Sequence, residues 1–240
     1  MEISFFKNGK WIKKVVPTEI LYNRPTELSQ FGLKITSTNS KYFKEYITNF
    51  ELENEIPIIN TVDHLGWRDN YKEFIPYSKT LQLDYPEILE GYSESGTLED
   101  WCNSISKYRG NHIFRFILSS AFTAPLIPLL NERPFMVYNF APSRSGKTAL
   151  LNVAISAFGN PKKLITTFNS TAVGLERLLQ INDNLPVAVD EKQIADTQRS
   201  IEKMVFMVSN QEGRVRGNKY GGLAPQTKFS NVVLSTGEEP

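Results

Sequence analysis

The segment Ala141-Pro-Ser-Arg-Ser-Gly-Lys-Thr148 constrains the fold of this chain more than any other feature of the sequence. An apolar run at residues 135–140, typical of a buried strand, comes before it. A helical pattern at residues 147–158 comes after it and ends at Gly159, a residue type that commonly terminates helices. Strand, loop and helix in this order match the pattern G-x-x-x-x-G-K-[ST], whose backbone N–H groups surround phosphate oxygens. The segment therefore predicts a phosphate-binding loop (P-loop).

The residues of this loop predict a site for ATP and Mg²⁺. Gly146 allows the backbone to approach a phosphate closely, and Lys147 is expected to reach the β- and γ-phosphates. Thr148 is expected to place its hydroxyl on Mg²⁺, at the positive end of the helix dipole. Ala141 stands where the pattern has its first glycine, which matters only if that position requires a positive φ. The alternative is an ordinary turn in front of a helix. We assign the remaining loop contacts with the nucleotide to Ser143, Arg144, Ser145 and Ala149.

Beyond residue 133, short apolar runs alternate with helical patterns. Three further strands are predicted at residues 164–168, 186–189 and 231–235, with helices between them. Strands that alternate with helices imply a parallel sheet covered on both faces. The expected fold class is therefore α/β, with a P-loop ATPase core over residues 133–240.

The first part of the chain has a different pattern. Asn8-Gly9 and Asp69-Asn70 each lie between two strand-like runs and predict hairpins, because these residues readily adopt positive φ. Residues 92–97 are polar and contain Gly and Ser, which indicates a boundary. We therefore predict a β-rich N-terminal domain over residues 1–95, interrupted by one helix at residues 41–48, and a helical connector over residues 96–132.

Two carboxylates and a hydroxyl are predicted to face the phosphate-binding loop. The apolar run at residues 185–189 ends in Asp190 and Glu191, which places both acids at the carboxyl edge of a parallel sheet. Asp190 is expected to contact the nucleotide and hold Mg²⁺, and Glu191 to act as general base toward the attacking water. Thr236, favoured over Ser235, is expected to contact the γ-phosphate or the water as a sensor. The alternatives are solvated acids and a plain capping residue at the strand ends.

A basic segment lies between the acidic pair and the last predicted strand. Arg214, Arg216 and Lys219 are interleaved with glycines and Tyr220, as in a hairpin. Such a hairpin can bind nucleic-acid phosphates while the tyrosine stacks on a base. Alternatively, Arg214 or Arg216 acts as an arginine finger in a neighbouring subunit's site, or the segment is a solvated basic loop.

Composition limits the compartment and the partners rather than naming them. The 240 residues carry a formal net charge of +1, so contact with nucleic acid must come from a local patch. Cys102 is the single cysteine and cannot form an intrachain disulfide, and His64 and His112 have no metal-ligand spacing. The apolar stretch at 113–130 is interrupted by Arg115 and two prolines. We expect a cytoplasmic protein without a membrane span.

Several motifs together resemble an AAA+ P-loop ATPase family of uncharacterised domains in phage and mobile-element replication proteins. The resemblance covers most of the chain and lies in the order of the motifs more than in any one of them. They are Ser143-Arg-Ser-Gly-Lys-Thr148, Ser170-Thr-Ala-Val-Gly-Leu-Glu176, Val187-Ala-Val-Asp-Glu191, Ser209-Asn-Gln-Glu-Gly-Arg214 and Leu234-Ser-Thr-Gly-Glu238, with Gly66-Trp67 and Phe74-Ile-Pro76 before them.

The resemblance implies a superfamily 3 or MCM-like helicase. Such a protein is a ring, often a hexamer, that moves on single-stranded or forked DNA, with ATP between subunits and in several members a primase partner. It assigns Arg216 and Lys219 to the central channel. Such a core normally continues past the sensor strand into a fifth strand and a helical lid, whereas this sequence ends at Pro240. We therefore expect weak ATPase activity or none from this chain.

Two other functions remain open from the sequence. One is a nucleotide-binding switch or scaffold with little turnover, whose N-terminal domain binds a protein partner. The other is a small-molecule kinase, although no acceptor site is evident and the long segment from Asp190 to Thr236 does not suit it. The adjacent Glu191 favours hydrolysis, because a pure switch has less need of a general base.

Overall fold

The chain divides into two compact units. The computed structural model describes residues 1–57, 61–78, 81–84, 86–167, 172–190, 197–211 and 228–238. The first unit is Met1–Asn60 and the second is Thr61–Pro240.

The first unit begins with a two-stranded hairpin. Strands β1 (Glu2–Lys7) and β2 (Lys10–Val15) pair antiparallel around Asn8 and Gly9. Both turn residues have positive φ, 51° and 77°, so the first predicted hairpin is confirmed. Lys14 on the inner face has its ammonium 5.9 Å from the ring of Phe31.

Three helical segments follow the hairpin, and the last of them confirms the helix predicted at residues 41–48. The other two were not predicted, so the β-rich prediction is wrong for this unit. The three segments are α1 (Thr18–Asn23), a 3-10 helix (Pro25–Phe31) and α2 (Ser40–Glu53). The first two are too short to show a clear helical period. Prolines at or before their first residues fix a φ that suits a helix start. Tertiary packing stabilises these two short helices, because their residues Leu21 and Leu28 are buried in the small core of the unit together with Val16 and Ile35.

The second unit opens with short paired strands. Strand β3 (Thr61–Val62) pairs parallel with β6 (Gln82–Leu83). Between them, β4 (Gly66–Arg68) and β5 (Glu73–Ile75) form an antiparallel hairpin with positive φ at Asp69, Asn70 and Tyr71, which confirms the second predicted hairpin. A 3-10 helix at Pro86–Tyr92 follows.

Helices occupy the predicted connector. They are α3 (Leu98–Ser106), α4 (His112–Thr123) and α5 (Ile127–Leu130). Thr97 caps α3 by accepting a hydrogen bond of 3.1 Å from the backbone of Asp100. The stretch His112–Leu130 is long and apolar enough to cross a membrane by length and composition alone. Ile117 and Ala121 of this stretch are buried in the core of the second unit, as in a packed helix.

A four-stranded parallel sheet forms the centre of the second unit, which confirms the α/β prediction. Its strands are β7 (Phe135–Phe140), β8 (Thr166–Thr167), β9 (Pro186–Asp190) and β10 (Val232–Gly237), in the spatial order β7-β10-β9-β8. The helices between the strands are α6 (Lys147–Ser156), α7 (Pro161–Leu164), α8 (Ala172–Ile181) and α9 (Thr197–Asn210).

Hydrophobic cores cover both faces of this sheet. Ala188 of β9 and Leu234 of β10 pack with Leu151 and Ile155 of α6 in one core. The alternating residue Val233 packs on the other face with Leu179 of α8 and with α9. The near-continuous burial of β9 and β10 is what a parallel strand between two helical layers requires.

Residues 61–95 share the core of the second unit. Leu65, Ile75 and Leu83, from three of the short strands, are buried in the same cluster as Leu151 and Ile155. The boundary between the compact units therefore falls at residue 60, whereas the sequence analysis placed its first boundary at residue 95. Strands of two or three residues cannot bury their side chains against one another and need the larger sheet beside them.

Candidate functional site: a cleft at the carboxyl edge of the sheet

The loop between β7 and α6 forms one wall of the candidate site. Arg144 and Gly146 have positive φ, 64° and 92°, and Gly146 is the residue before the first turn of α6. Ala141 has no positive φ, so an alanine is compatible with the position that the motif gives to glycine. The amide of Ala141 donates to the carbonyl of Gly237 at 3.2 Å, which ties the start of the loop to the end of β10.

The side chain of Lys147 lies over this loop. Its ammonium donates to the carbonyl oxygens of Ala141 and Pro142, the second at 2.9 Å. The loop backbone thereby holds the cation at the amino-terminal end of α6, where the helix dipole also favours negative charge. A cation at the amino-terminal end of a helix makes this wall suited to an anion.

Asp190 connects two threonines that belong to different elements. Its carboxylate lies 3.3 and 3.4 Å from the hydroxyl of Thr148, the second residue of α6. The hydroxyl of Thr236, near the end of β10, donates a short hydrogen bond to the same carboxylate. Thr236 is 3% exposed, so most of this residue is packed within the protein where it borders the cleft. Three side chains that are far apart in sequence thus meet at one edge of the sheet.

These residues line a single cleft of about 740 Å³. It brings together every site residue predicted on the loop, together with Asp190 and Thr236. It also includes two residues that the sequence analysis did not select, Gly237 and Glu238. The lining residues are Ser143, Arg144, Ser145, Gly146, Lys147, Thr148, Ala149, Asp190, Thr236, Gly237 and Glu238.

The side chains that line the cleft determine which metal ion it could bind. Arg144 and Lys147 supply positive charge, and Asp190 and Glu238 supply carboxylates. Among the described residues, no three His, Cys, Asp or Glu side chains cluster as a metal site. One carboxylate beside a hydroxyl suits Mg²⁺, which keeps several waters and takes its other ligands from phosphates.

The predicted residues Glu191, Arg214, Arg216 and Lys219, and Tyr220 beside them, lie outside the described part of the chain. The general base and the nucleic-acid-binding hairpin therefore stay predictions. Glu238 is a residue that the sequence could have shown, because it follows a predicted strand just as Asp190 does.

A buried polar cluster holds the opposite, amino-terminal ends of β9 and β10. Asn231, which is fully buried, donates to the carbonyl of Leu185 at 3.3 Å. Asp183 accepts a hydrogen bond of 2.6 Å from the backbone of Ser230, and the amide of Asn184 donates to the carbonyl of Ser230 at 3.1 Å. Burial raises the pKa of the Asp183 carboxyl above its usual range.

The short hairpin of β4 and β5 docks on this cluster. The amide of Leu65 donates to the carbonyl of Ile181 at 2.7 Å, and the amide of Trp67 donates to the side chain of Asn184 at 3.1 Å. Gly66 has φ 95°, and a Cβ there would lie 2.3 Å from the carbonyl oxygen of Asp183. The Gly66-Trp67 motif therefore has a structural role, in which the glycine permits close contact between the two backbones.

Comparison with solved structures finds a similar fold in a helicase. The structure described as "SCCmec type IV Cch - active helicase" matches with a TM-score of 0.62 and 18% sequence identity, over 100% of this chain and 47% of the other. This chain thus spans about half the length of that helicase, and at this identity the likeness concerns the fold. The A form apo structure of the NrS-1 C terminal region matches with a TM-score of 0.38 and 12% identity, over 98% of this chain and 51% of the other, which is too low to support an argument.

No curated protein sequence matches the chain. A family model does, over residues 1–228, and its description is "Domain of unknown function (DUF927)". Because the match extends over most of the sequence, from the first hairpin to the segment before β10, this protein belongs to the DUF927 family.

Proposed function

We propose that this chain binds ATP with Mg²⁺ in the cleft and forms the nucleotide-hydrolysing part of a motor that acts on DNA. The observation that carries the proposal is the contact of Asp190 with both Thr148 and Thr236 beside the Lys147 loop. A hydroxyl at the start of the loop helix, an acid at one strand end and a hydroxyl at the next form the set that phosphoryl transfer from a nucleotide requires.

Each side chain has a defined place in this chemistry. The loop amides and Lys147 bind the phosphate oxygens, and Thr148 with Asp190 would hold Mg²⁺. The metal would supply charge neutralisation as the bond between the β- and γ-phosphates breaks. Thr236 orients the attacking water in line with that bond. The water oxygen bonds to the γ-phosphorus, its proton passes to Glu191, and ADP leaves with inorganic phosphate as the second product.

The likeness to a helicase fold supports DNA as the partner of this motor. We propose that the motor moves on single-stranded or forked DNA, that it assembles as a homo-hexamer or other ring, and that it serves the replication of a phage or other mobile element. In such a ring Arg216 and Lys219 contact the DNA, and Arg214 or Arg216 acts on the ATP of a neighbouring subunit. A primase is the proposed partner and the cytoplasm the proposed location.

Nucleotide binding and hydrolysis can be tested separately. Lys147→Ala should reduce the affinity for a fluorescent ATP analogue, and Glu191→Gln should retain the affinity while lowering phosphate release. Lys203→Ala, a change on the exposed side of α9 outside the cleft, is the matched control. Unchanged affinity in Lys147→Ala would contradict the proposed cleft.

Stimulation by DNA separates a motor from a nucleotide-binding switch. ATP turnover should be measured with and without single-stranded DNA. A motor is expected to turn over faster with DNA. Tight ATP binding with turnover that DNA does not change would favour the switch or scaffold instead.

A further inference from the structure

A second pocket, of about 720 Å³, lies at the opposite end of α6 from the nucleotide cleft. Helix α6 begins at Lys147 in the wall of the cleft, whereas its last residue, Ser156, and the residues after it line this pocket. At 1.5 Å per residue, the ten residues of α6 separate the two sites by about 15 Å. The pocket is therefore distinct from the cleft to which the proposed function belongs.

Aromatic rings form much of the wall of this pocket. The ring of Phe122 lies 6.3 Å from that of Trp101, edge to face, and 5.7 Å from that of Phe158. Phe122 is 42% exposed and Tyr77 is 49% exposed, so ring surface remains open to a ligand. The face of an aromatic ring attracts cations. The aromatic lining residues are Tyr77, Tyr92, Trp101, Phe122 and Phe158, and we call this site the aromatic pocket.

The charge of the aromatic pocket is negative. Of the described residues that line it, only Glu94 is ionised at neutral pH. Burial, and then the negative charge of Glu94, raise the pKa of the Tyr77 hydroxyl above its usual range. The carboxyl end of α6, which carries partial negative charge, also lies here. Lys162 and Lys163 are close in α7 but do not line the pocket, and Lys163 pairs with Glu90 at 3.0 Å.

Most side-chain hydrogen-bond donors of the aromatic pocket are already used within the protein. The hydroxyl of Tyr77 donates to the carbonyl of Phe158 at 3.2 Å, and the indole N–H of Trp101 donates to the hydroxyl of Ser156 at 2.9 Å. Ser156 donates in turn to the carbonyl of Val153 at 2.8 Å. Three further hydroxyls also donate to protein groups, those of Tyr92, Ser93 and Thr97. A ligand therefore meets mainly acceptors, which require donors of its own.

We propose that the aromatic pocket binds a guanidinium group on an apolar stem, either the side chain of an arginine from a partner protein or a free small guanidine. A guanidinium is planar and weakly hydrated, stacks on aromatic rings and presents five N–H donors. It therefore matches the ring walls, the acceptors and the carboxylate together. An ammonium is a compact and more strongly hydrated charge, which suits ring walls less well. Glu94 pairs with the cation, and Phe122 and Trp101 contact its face and stem.

The test is calorimetric titration of the whole chain, without nucleotide, with N-acetyl-arginine amide. N-acetyl-citrulline amide has the same shape without the charge and should bind at least tenfold more weakly. Glu94→Gln should weaken binding of the arginine probe about fivefold, as for a solvent-exposed ion pair, and Phe122→Leu about threefold through loss of a ring. The matched control is Glu99→Gln, which removes an exposed acid in the first turn of α3 outside the pocket.

Glu94 and Glu99 are both exposed, so both glutamine variants should keep the melting temperature of the unaltered chain, and a loss of binding in one cannot come from misfolding. Equal affinity of these two variants, equal binding of the citrulline probe, or no binding by the unaltered chain at millimolar probe would overturn the inference.

Two further probes identify the source of the guanidinium. Tighter binding of the end-blocked tripeptide Ala-Arg-Ala would assign the pocket to an arginine of a partner protein, and tighter binding of agmatine would assign it to a free guanidine. None of these measurements uses ATP, so the proposed nucleotide site, tested with Lys147→Ala, can fail separately.

Discussion

Replacing Thr236 with valine removes one hydroxyl from the cleft and conserves the shape of the side chain. The lost group donates to the carboxylate of Asp190. Thr148 cannot replace it, since its hydroxyl already lies at 3.3 and 3.4 Å from the same carboxylate, at the long end of the hydrogen-bonding range.

A hydrogen bond to a charged group contributes about 1.5–3 kcal/mol. If the bond from Thr236 is needed to orient the acid and the water in the transition state, Thr236→Val should slow ATP hydrolysis by about 10- to 150-fold. ATP affinity should change little, because the loop and Lys147 remain. Single-turnover release of labelled phosphate measures the first quantity, and titration with a fluorescent ATP analogue measures the second.

The neighbouring Ser235 provides the control for this experiment. It is 2% exposed, and within the described part of the chain its hydroxyl has no hydrogen-bond partner. Ser235→Ala therefore removes a buried hydroxyl from the same strand without removing a bond, and hydrolysis should remain near that of the unaltered chain. Equal hydrolysis by Thr236→Val and the unaltered chain would refute the role of Thr236, and so would an equal loss in both variants.

Two further predictions concern the buried polar cluster at the amino-terminal ends of β9 and β10. Gly66→Ala combines a positive φ with a Cβ 2.3 Å from a backbone oxygen, so it should lower the free energy of unfolding by about 2 kcal/mol or more, measured by urea denaturation; a change within about 0.5 kcal/mol would contradict this reading. Because burial raises the pKa of Asp183 above its ordinary 3.8, its contribution to stability is present below that pH and is lost as pH rises through the folded-state pKa. Asp183→Asn should therefore gain stability relative to the unaltered chain as pH rises through this window, and a variant that instead loses stability relative to the unaltered chain would show the opposite sign.

Local chemistry accounts for the parts of the fold that the sequence predicts well. Asn8-Gly9 and Asp69-Asn70 predict turns because few other residues adopt a positive φ at low cost. Thr97 is a residue type that favours a helix start, because its hydroxyl can accept a hydrogen bond from a backbone N–H of the first turn, here that of Asp100. Apolar runs such as β9 are recognisable because a parallel strand is buried on both faces.

Features that depend on tertiary contacts could not be read in the same way. The helices at 18–31 contain few residues, so their period is not visible, and burial of Leu21 and Leu28 stabilises them. The placement of residues 61–95 depends on a docking contact between Gly66 and Asp183, which are far apart in the chain. For the cleft, Asp190, Thr148 and Thr236 could be predicted from the sequence as site residues. The hydrogen bonds between them could not, because those bonds depend on the order of strands in the sheet.

That order explains why one carboxylate can serve two threonines. Along the sequence, β10 comes after β7, β8 and β9. In the sheet, however, β10 lies between β7 and β9. Neighbouring strands are about 4.8 Å apart, so Thr236 at the end of β10 lies one strand from the loop and one strand from Asp190. In chain order β10 would lie at the edge beyond β9, and Thr236 would be about three strands from the loop. The end of β7 leads into the loop that suits phosphate, and the end of β9 carries the acid that suits Mg²⁺. Because β10 lies between these two strands, its Thr236 connects the two parts of the site. The cluster around Asn231 and Asp183 holds the other end of β10 in the register that this arrangement needs.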